Sequence, residues 1–272
     1  LINISSYSET LAAPNLVDAI KIIKNLRPHL KVVMATNGSL MREDVVRNVI
    51  SAGLDHYSYS FDAPDRESYH RLMQADDFYR VWNNLLKIVE IRKEINPRMK
   101  LTTHIMGFDE FKEPFIKFKK FWEDKVDSVI WRPVGNWGGE TWGLEANLNS
   151  AGFRLSEFSI PHERYPCNSI FMHFKMQHDG RYAPCVAAVP DFTPDEEMHN
   201  VPYLGSAHDI TWTEAWNKLT AMRQAHLKGQ WSDFNCCSTC NIWALWPNVW
   251  SKNLSSKTND DKFVIDNINH AK

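Results

Sequence analysis

Through the first half of the chain the apolar positions switch between two periods. Short runs at Leu1–Ser5, Lys31–Thr36, His56–Phe61, Lys100–Met106 and Ser128–Arg132 read as strands. Between them, Asn15–Leu26, Glu43–Ala52, Phe78–Ile95 and Glu110–Trp122 show helical spacing. The first helix places Leu16, Ile20 and Ile23 on one face and stops before Pro28. The second places Val46, Val49 and Ile50 together and meets Gly53, a residue suited to closing a helix. The third ends at Asn96-Pro97, where the residue before proline is pushed out of helical space. Strand, helix, strand in repetition implies parallel strands joined by right-handed crossovers. A doubly wound sheet and a barrel both satisfy that pattern.

One strand is two-faced. Along His56–Asp62, Tyr57, Tyr59 and Phe61 fall on one side and Ser58, Ser60 and Asp62 on the other. Central strands of closed α/β sheets usually read as continuous apolar runs. The polar side is therefore either an edge facing water or the inner face of a barrel that holds a polar ligand. Lys31–Thr36 runs into Asn37-Gly38, a turn at the C-terminal end of the strand, which is the end where parallel α/β folds bind ligands.

The alternation stops at 134. Residues 135–166 read as a connection rich in Gly, Asn and Trp, with Trp137 and Trp142 as candidates to line a substrate pocket. Residues 167–250 form a second region. There Ser169–Met176 and Arg181–Val186 flank Asp179-Gly180, a hairpin signal. A helix follows at Thr213–Lys228, with Thr211 and Glu214 at capping-box spacing and Gly229 beyond it. Residues 251–272 are polar and expected to be a loose tail.

Composition narrows the chemistry. The 272 residues are 43% hydrophobic, enough for a core, and no apolar run reaches the roughly 18 residues that span a bilayer. A net charge of -2 without a basic stripe gives no basis for nucleic-acid binding. All five cysteines lie between Cys167 and Cys240, a clustering that suggests metal binding in a reducing, cytoplasmic setting. Pairing of the hairpin brings Cys167 and Cys185 together, and Cys237-Ser-Thr-Cys240 turns two sulfurs towards one centre. Spacing alone fits zinc and an iron–sulfur cluster equally. Cys236 reads as a buried spare. His199 and His208 are further candidate ligands. Because Leu1 falls inside a strand, the chain is expected to be a fragment.

The cysteine region resembles the auxiliary-cluster module, of SPASM or twitch type, of radical S-adenosylmethionine enzymes. The resemblance rests on Cys167, Asp179-Gly180, Pro184-Cys185, Leu204-Gly205, Trp216-Asn217 and Cys237-x-x-Cys240, in that order, with Trp243 beyond. Four cysteines match the single cluster of the twitch form. The first half resembles the same family's partial barrel. Ser6-Tyr7-Ser8-Glu9-Thr10-Leu11 with Pro14 is similar to its Gly-Tyr-Gly-Glu-Pro-Leu stretch, with both glycines and the first proline replaced. Thr36-Asn37-Gly38 matches its Thr-Asn-Gly, Ser58–Asp62 its ribose strand, and Trp131-Arg132-Pro133 the end of its last strands.

The resemblance implies a fold and a set of roles. The fold is α/β, a partial parallel (β/α) barrel over 1–134 with a small cysteine-rich hairpin-plus-helix module. Glu9, Thr36, Asn37, Ser60, Asp62 and Arg132 would contact S-adenosylmethionine; Arg132 suits a carboxylate, because its fork can pair bidentately. Cys167, Cys185, Cys237 and Cys240 would hold an auxiliary [4Fe–4S] cluster. The family's catalytic [4Fe–4S] cluster hangs on a Cys-x-x-x-Cys-x-x-Cys motif upstream of the Glu9 region, and no cysteine precedes Cys167. That second cluster is expected on a missing N-terminal segment, and this chain alone is expected to be inactive. The implied activity is hydrogen-atom abstraction from a peptide or sugar-like substrate, with electrons from a flavodoxin or ferredoxin. The alternative is a non-enzymatic scaffold or binding protein with a degenerate barrel and structural zinc.

Overall fold

Each of the five expected strands forms, and they pair in the order in which the chain makes them. Ile2–Asn3 (β1), Val32–Thr36 (β2), His56–Asp62 (β3), Lys100–Met106 (β4) and Ser128–Arg132 (β5) build one sheet in which every neighbouring pair is parallel. The computed structural model describes residues 1–5, 8–135, 152–154, 162–187, 203–245, 250–252 and 263–265. Sequential order decides between the two architectures left open above. A doubly wound sheet reverses its order at a switch point; this one does not. Crossovers of one hand then put the helices on one side, as in a partial (β/α) barrel.

Those helices are Leu16–Leu26 (α1), Glu43–Ser51 (α2), Arg66–Met73 (α3), Phe78–Ile95 (α4) and Lys112–Trp122 (α5). The sequence pattern missed α3, which buries only Tyr69 and so shows little periodicity. Its local signal is a cap: Asp65 Oδ1 accepts the Ser68 N–H at 2.9 Å.

The aromatic side of β3 is the centre of the core. Tyr57, Tyr59 and Phe61 are essentially fully buried. The Phe61 ring lies 5.4 Å from Phe78, 5.7 Å from Trp82 and 5.2 Å from Phe118, all edge-on, which ties β3 to α4 and α5. Burial of each such ring is worth about 1.5–3 kcal/mol. Tyr59 Oη donates to the Val81 carbonyl at 2.7 Å, satisfying its one polar atom.

At the opposite, N-terminal end of the strands the same device occurs twice. Asp55, just before β3, accepts the Val32 N–H at 2.8 Å and pairs with Lys24 and Lys31. Asp127, just before β5, accepts the Leu101 N–H at 2.7 Å and pairs with Arg92. Each carboxylate closes the start of a neighbouring strand.

The first segment of the barrel unit ends at Val134. Residues 152–154, expected within a connection, belong to the barrel unit. Phe153 is fully buried, 5.2 Å from Phe108 and 5.5 Å from Phe111, and Arg154 pairs with Glu110. Phe153 thus fills an apolar slot beside Phe108 and Phe111.

The second unit is smaller. Lys175–Met176 pairs antiparallel with Arg181–Ala183, which pairs antiparallel with Gly205–Ser206. The Asp179-Gly180 turn forms as expected, with Gly180 at φ 85°. The first arm is shorter than expected: Ser169–Met172 is a turn of helix and not strand, because Ile170 packs inward with Leu219 and Met222. The second arm ends at Ala183, so Cys185 follows the strand instead of ending it. The expected Thr213–Lys228 helix is two, Trp212–Lys218 and Thr220–Leu227, with a break at Leu219. The capping box is complete: Thr211 and Glu214 exchange both bonds, and Gly229 follows at φ 76°. Within the stretch expected to be a loose tail, Phe263–Ile265 pairs antiparallel with Trp250–Lys252. Among the described residues no helix is long and apolar enough to cross a membrane.

Candidate functional site

Strand pleat and register assemble the polar face. Ser58 pairs with Ala35 on β2 and Thr102 on β4, Ser60 pairs with His104, and His104 pairs with Ile130 on β5. Parity then places Met106 and its partner Arg132 on the same side as His104. This side lies opposite the aromatic core, so the polar residues of β3 line the inner face of the barrel.

Between Ser60 and Asp62 the register slips by one residue. Asp62 takes a left-handed conformation, φ 69°, so the bulge re-aims the end of the strand. Ser60 Oγ donates to Asp62 Oδ1. Burial raises the Asp62 pKa above the usual carboxylate range, opposed by the Ser60 bond and by the charge of Arg132. Arg132 Nη1 approaches His104 Nε2 at 3.3 Å. His104 is buried, and its pKa is pushed down to about 4 by burial and by Arg132. The structure thus brings Ser60, Asp62 and Arg132 together and adds His104. Sequence reading missed His104 because Leu101–Ile105 is buried on both faces and does not alternate; its register with Ser60 marks it.

A second group sits at the ends of β1 and β2. Glu9 opens a single 3-10 turn, Thr10–Ala12. Its Oε1 accepts the Leu11 N–H at 3.0 Å and the Thr36 hydroxyl, and its Oε2 accepts the Asn37 N–H at 2.9 Å. A carboxylate offers about four acceptor positions, so among the described residues roughly one on Oε2 has no donor. Thr36 is buried and its Oγ1 accepts the Gly38 N–H at 2.9 Å; Asn37 Oδ1 accepts the Ser39 N–H at 2.8 Å. Gly38 stands at φ 70° against the ring of Tyr59, where a Cβ would collide. The Thr36-Asn37-Gly38 turn is therefore dictated by the core residue beneath it. Ser6 and Tyr7 lie outside the described residues, as do Trp137, Trp142 and His199.

In the second unit none of the five cysteines forms a disulfide among the described residues. Cys237 is buried with its sulfur 3.9 Å from that of Cys236, and Cys185 and Cys236 pack against Ala183. Burial pushes the Cys167 thiol up; the Cys236 contact and burial do the same to Cys237. Cys167, Cys237 and Cys240 lie within electrostatic reach of Arg164, whose Nε is buried without an acceptor among the described residues. Among those residues no three His, Cys, Asp or Glu side chains close on one ion. His208 is exposed beside Gly180. Neighbouring thiols beside an orphaned cationic donor fit an anionic group.

Comparison with known proteins agrees with the barrel. Residues 2–121 match the family model described as the Radical SAM superfamily. The crystal structure of BtrN in complex with AdoMet and 2-DOIA is similar in fold, with a TM-score of 0.53 and 15% identity, over 96% of this chain and 75% of that one. The crystal structure of Streptococcus suis SuiB bound to S-adenosylmethionine matches with a TM-score of 0.49 and 14% identity, over 77% of this chain and 52% of that one. Uncharacterized protein MJ0804 of Methanocaldococcus jannaschii is 35% identical over 85 residues, 31% of this chain and only 29% of that protein's length. The likeness to the radical S-adenosylmethionine family thus lies in the barrel region, residues 2–121, and the chain spans less than a third of the length of the curated relative it matches.

Proposed function

We propose that this chain is the substrate-binding barrel and auxiliary-cluster module of a radical S-adenosylmethionine oxidoreductase or maturase acting on a peptide or sugar-like substrate. A reduced [4Fe–4S] cluster with S-adenosylmethionine, when bound, would supply the oxidising radical chemistry that takes a hydrogen atom from the substrate. The barrel residues bind and orient. Glu9 keeps an acceptor position for the cofactor's ammonium, beside Thr36 and Asn37. Ser60 and Asp62, joined by a hydrogen bond, would meet the ribose, and Arg132, beside His104, would meet the carboxylate. The observation that carries this reading is the two-faced β3, whose polar side ends in an inward-turned Asp62 within the segment that matches the family.

In the second unit Cys167, Cys185, Cys237 and Cys240 would hold an auxiliary [4Fe–4S] cluster. The electrostatic reach of Cys237 to Cys185 and Cys167, and of Cys167 to Cys240, supports one site shared by the four thiols. A cytoplasmic flavodoxin or ferredoxin would supply electrons. The test is anaerobic purification with iron and sulfide analysis. A brown chain with about four irons and matching sulfide is expected. Cys236→Ala should keep its iron and Cys240→Ala should lose most of it. Colourless protein with one zinc would establish the scaffold alternative. With no cysteine before Cys167, the 272-residue chain alone should not cleave S-adenosylmethionine.

A further inference from the structure

The cysteine region holds two buried nitrogen donors with no acceptor among the described residues, Arg164 Nε and His226 Nε2. Arg164 is fixed from several sides. Its Nη1 donates to the Ser238 carbonyl at 3.0 Å and its Nη2 to the Cys237 carbonyl. Its guanidinium lies 5.0 Å from the Trp231 ring centre and 5.7 Å from that of Trp243. The side chain therefore clamps the backbone of the Cys237–Cys240 turn and leaves Nε pointing at nothing described. Cys167, Cys237 and Cys240 all lie within electrostatic reach of the charge.

His226 is fully buried. Its Nδ1 lies 3.2 Å from the Cys167 backbone nitrogen, which can only donate. The neutral ring must then hold its proton on Nε2. A buried N–H without an acceptor is costly; Arg164 Nε belongs to a guanidinium within electrostatic reach of three thiols, and the His226 ring is joined to the Cys167 backbone, so both point to an acceptor in this region.

We propose that Arg164 and His226 donate hydrogen bonds to sulfur atoms of the group held by Cys167, Cys185, Cys237 and Cys240, and that Arg164 raises its reduction potential. This rests on the iron–sulfur assignment of those cysteines. Reduction adds one electron and no atom to a group whose four thiolates already make it negative. A fixed cation and N–H···S bonds stabilise the extra electron and so favour the reduced form. The module would then be built to accept electrons rather than only to brace the fold.

The experiment uses the whole chain, purified without oxygen and loaded with iron and sulfide. The potential is read by redox titration with EPR detection of the reduced cluster. Arg164→Gln should keep its iron and lose about tenfold in the reduction equilibrium, a fall of about 59 mV for a one-electron couple. Arg164→Lys should recover part of that loss. An unchanged potential in iron-loaded Arg164→Gln overturns the inference while leaving the cluster reading intact. A wild-type chain that binds zinc and no iron overturns both. Where Arg164→Gln loses its iron, pulsed EPR on the wild-type chain decides. Protein labelled with ¹⁵N only in arginine, or only in histidine, should show nitrogen coupled to the reduced cluster; no coupling from either label overturns the inference.

Discussion

Arg132 and His104 form a donor–acceptor pair on the inner face of the barrel, with Arg132 Nη1 3.3 Å from His104 Nε2. Arginine can only donate, so Nε2 accepts and the ring proton sits on Nδ1. The pairing holds only while the imidazole is neutral. A second proton would turn it into two cations side by side.

Stability should therefore depend on pH through His104. Its folded pKa is about 4, lowered by burial and then by Arg132, against 6.5 for an ordinary histidine. Between those values the unfolded chain binds a proton that the folded chain does not. The contribution is complete above about pH 6.5 and is lost as pH falls towards about 4, by up to about 3 kcal/mol. Urea unfolding across that window should give a flatter stability–pH curve for His104→Gln than for the wild type. Identical slopes would show that His104 is not held neutral.

Gly38→Ala should destabilise the chain by about 2 kcal/mol or more. The backbone is left-handed there, and a methyl would fall on the Tyr59 ring. Neither side can give way cheaply, since the Tyr59 hydroxyl is anchored to the Val81 carbonyl. Denaturant unfolding measures this. A loss below about 0.5 kcal/mol would mean that the turn is free to move.

That turn shows what the sequence could and could not disclose. Thr36-Asn37-Gly38 is visible as a turn signal, and the alternation of Tyr57, Tyr59 and Phe61 with Ser58, Ser60 and Asp62 is visible as two faces. That Tyr59 makes Gly38 obligatory is not visible, because the two meet only when β3 packs beside β2. His104 was hidden for the same reason: only the register with Ser60 assigns its face. Ser169–Met172 misled because four residues are too few to show a period, and its helical turn is set by tertiary packing of Ile170. The cysteines were legible one by one. The clamp by Arg164 depends on a fold that gathers residues more than seventy positions apart.

Asp55→Ala should cost about 1–3 kcal/mol without altering cofactor binding. It strips the acceptor from the Val32 N–H and leaves Lys24 unpaired, at the end of the strands away from the site. Burial alone would raise the Asp55 pKa, but the Lys24 bond, the Val32 N–H and Lys31 outweigh it and hold it low. Its contribution is thus present above the ordinary carboxylate range and lost as pH falls through the lowered folded value. Thermal unfolding paired with a binding assay for S-adenosylmethionine separates the two ends. Equal damage to stability and binding would contradict the assignment of this end to support alone.

Asp62 calls for two substitutions, because one would confuse backbone with chemistry. Its φ of 69° is tolerated by Asp and Asn and strained for Ala. Asp62→Ala should therefore destabilise by about 1 kcal/mol more than Asp62→Asn, more than an exposed carboxylate ordinarily contributes. Asp62→Asn keeps the bulge and removes the charge that burial disfavours, so its stability at neutral pH should not fall. If the carboxylate accepts the ribose hydroxyls of S-adenosylmethionine, both variants should bind it roughly tenfold more weakly, or worse, as expected when a charge-assisted bond worth about 1.5–3 kcal/mol is lost. Equilibrium dialysis with labelled cofactor is the measurement. Wild-type affinity in Asp62→Asn would remove Asp62 from the site. Weakened binding in Asp62→Ala alone would assign the bulge, and not the carboxylate, as the feature that shapes the inner face beside Arg132 and His104.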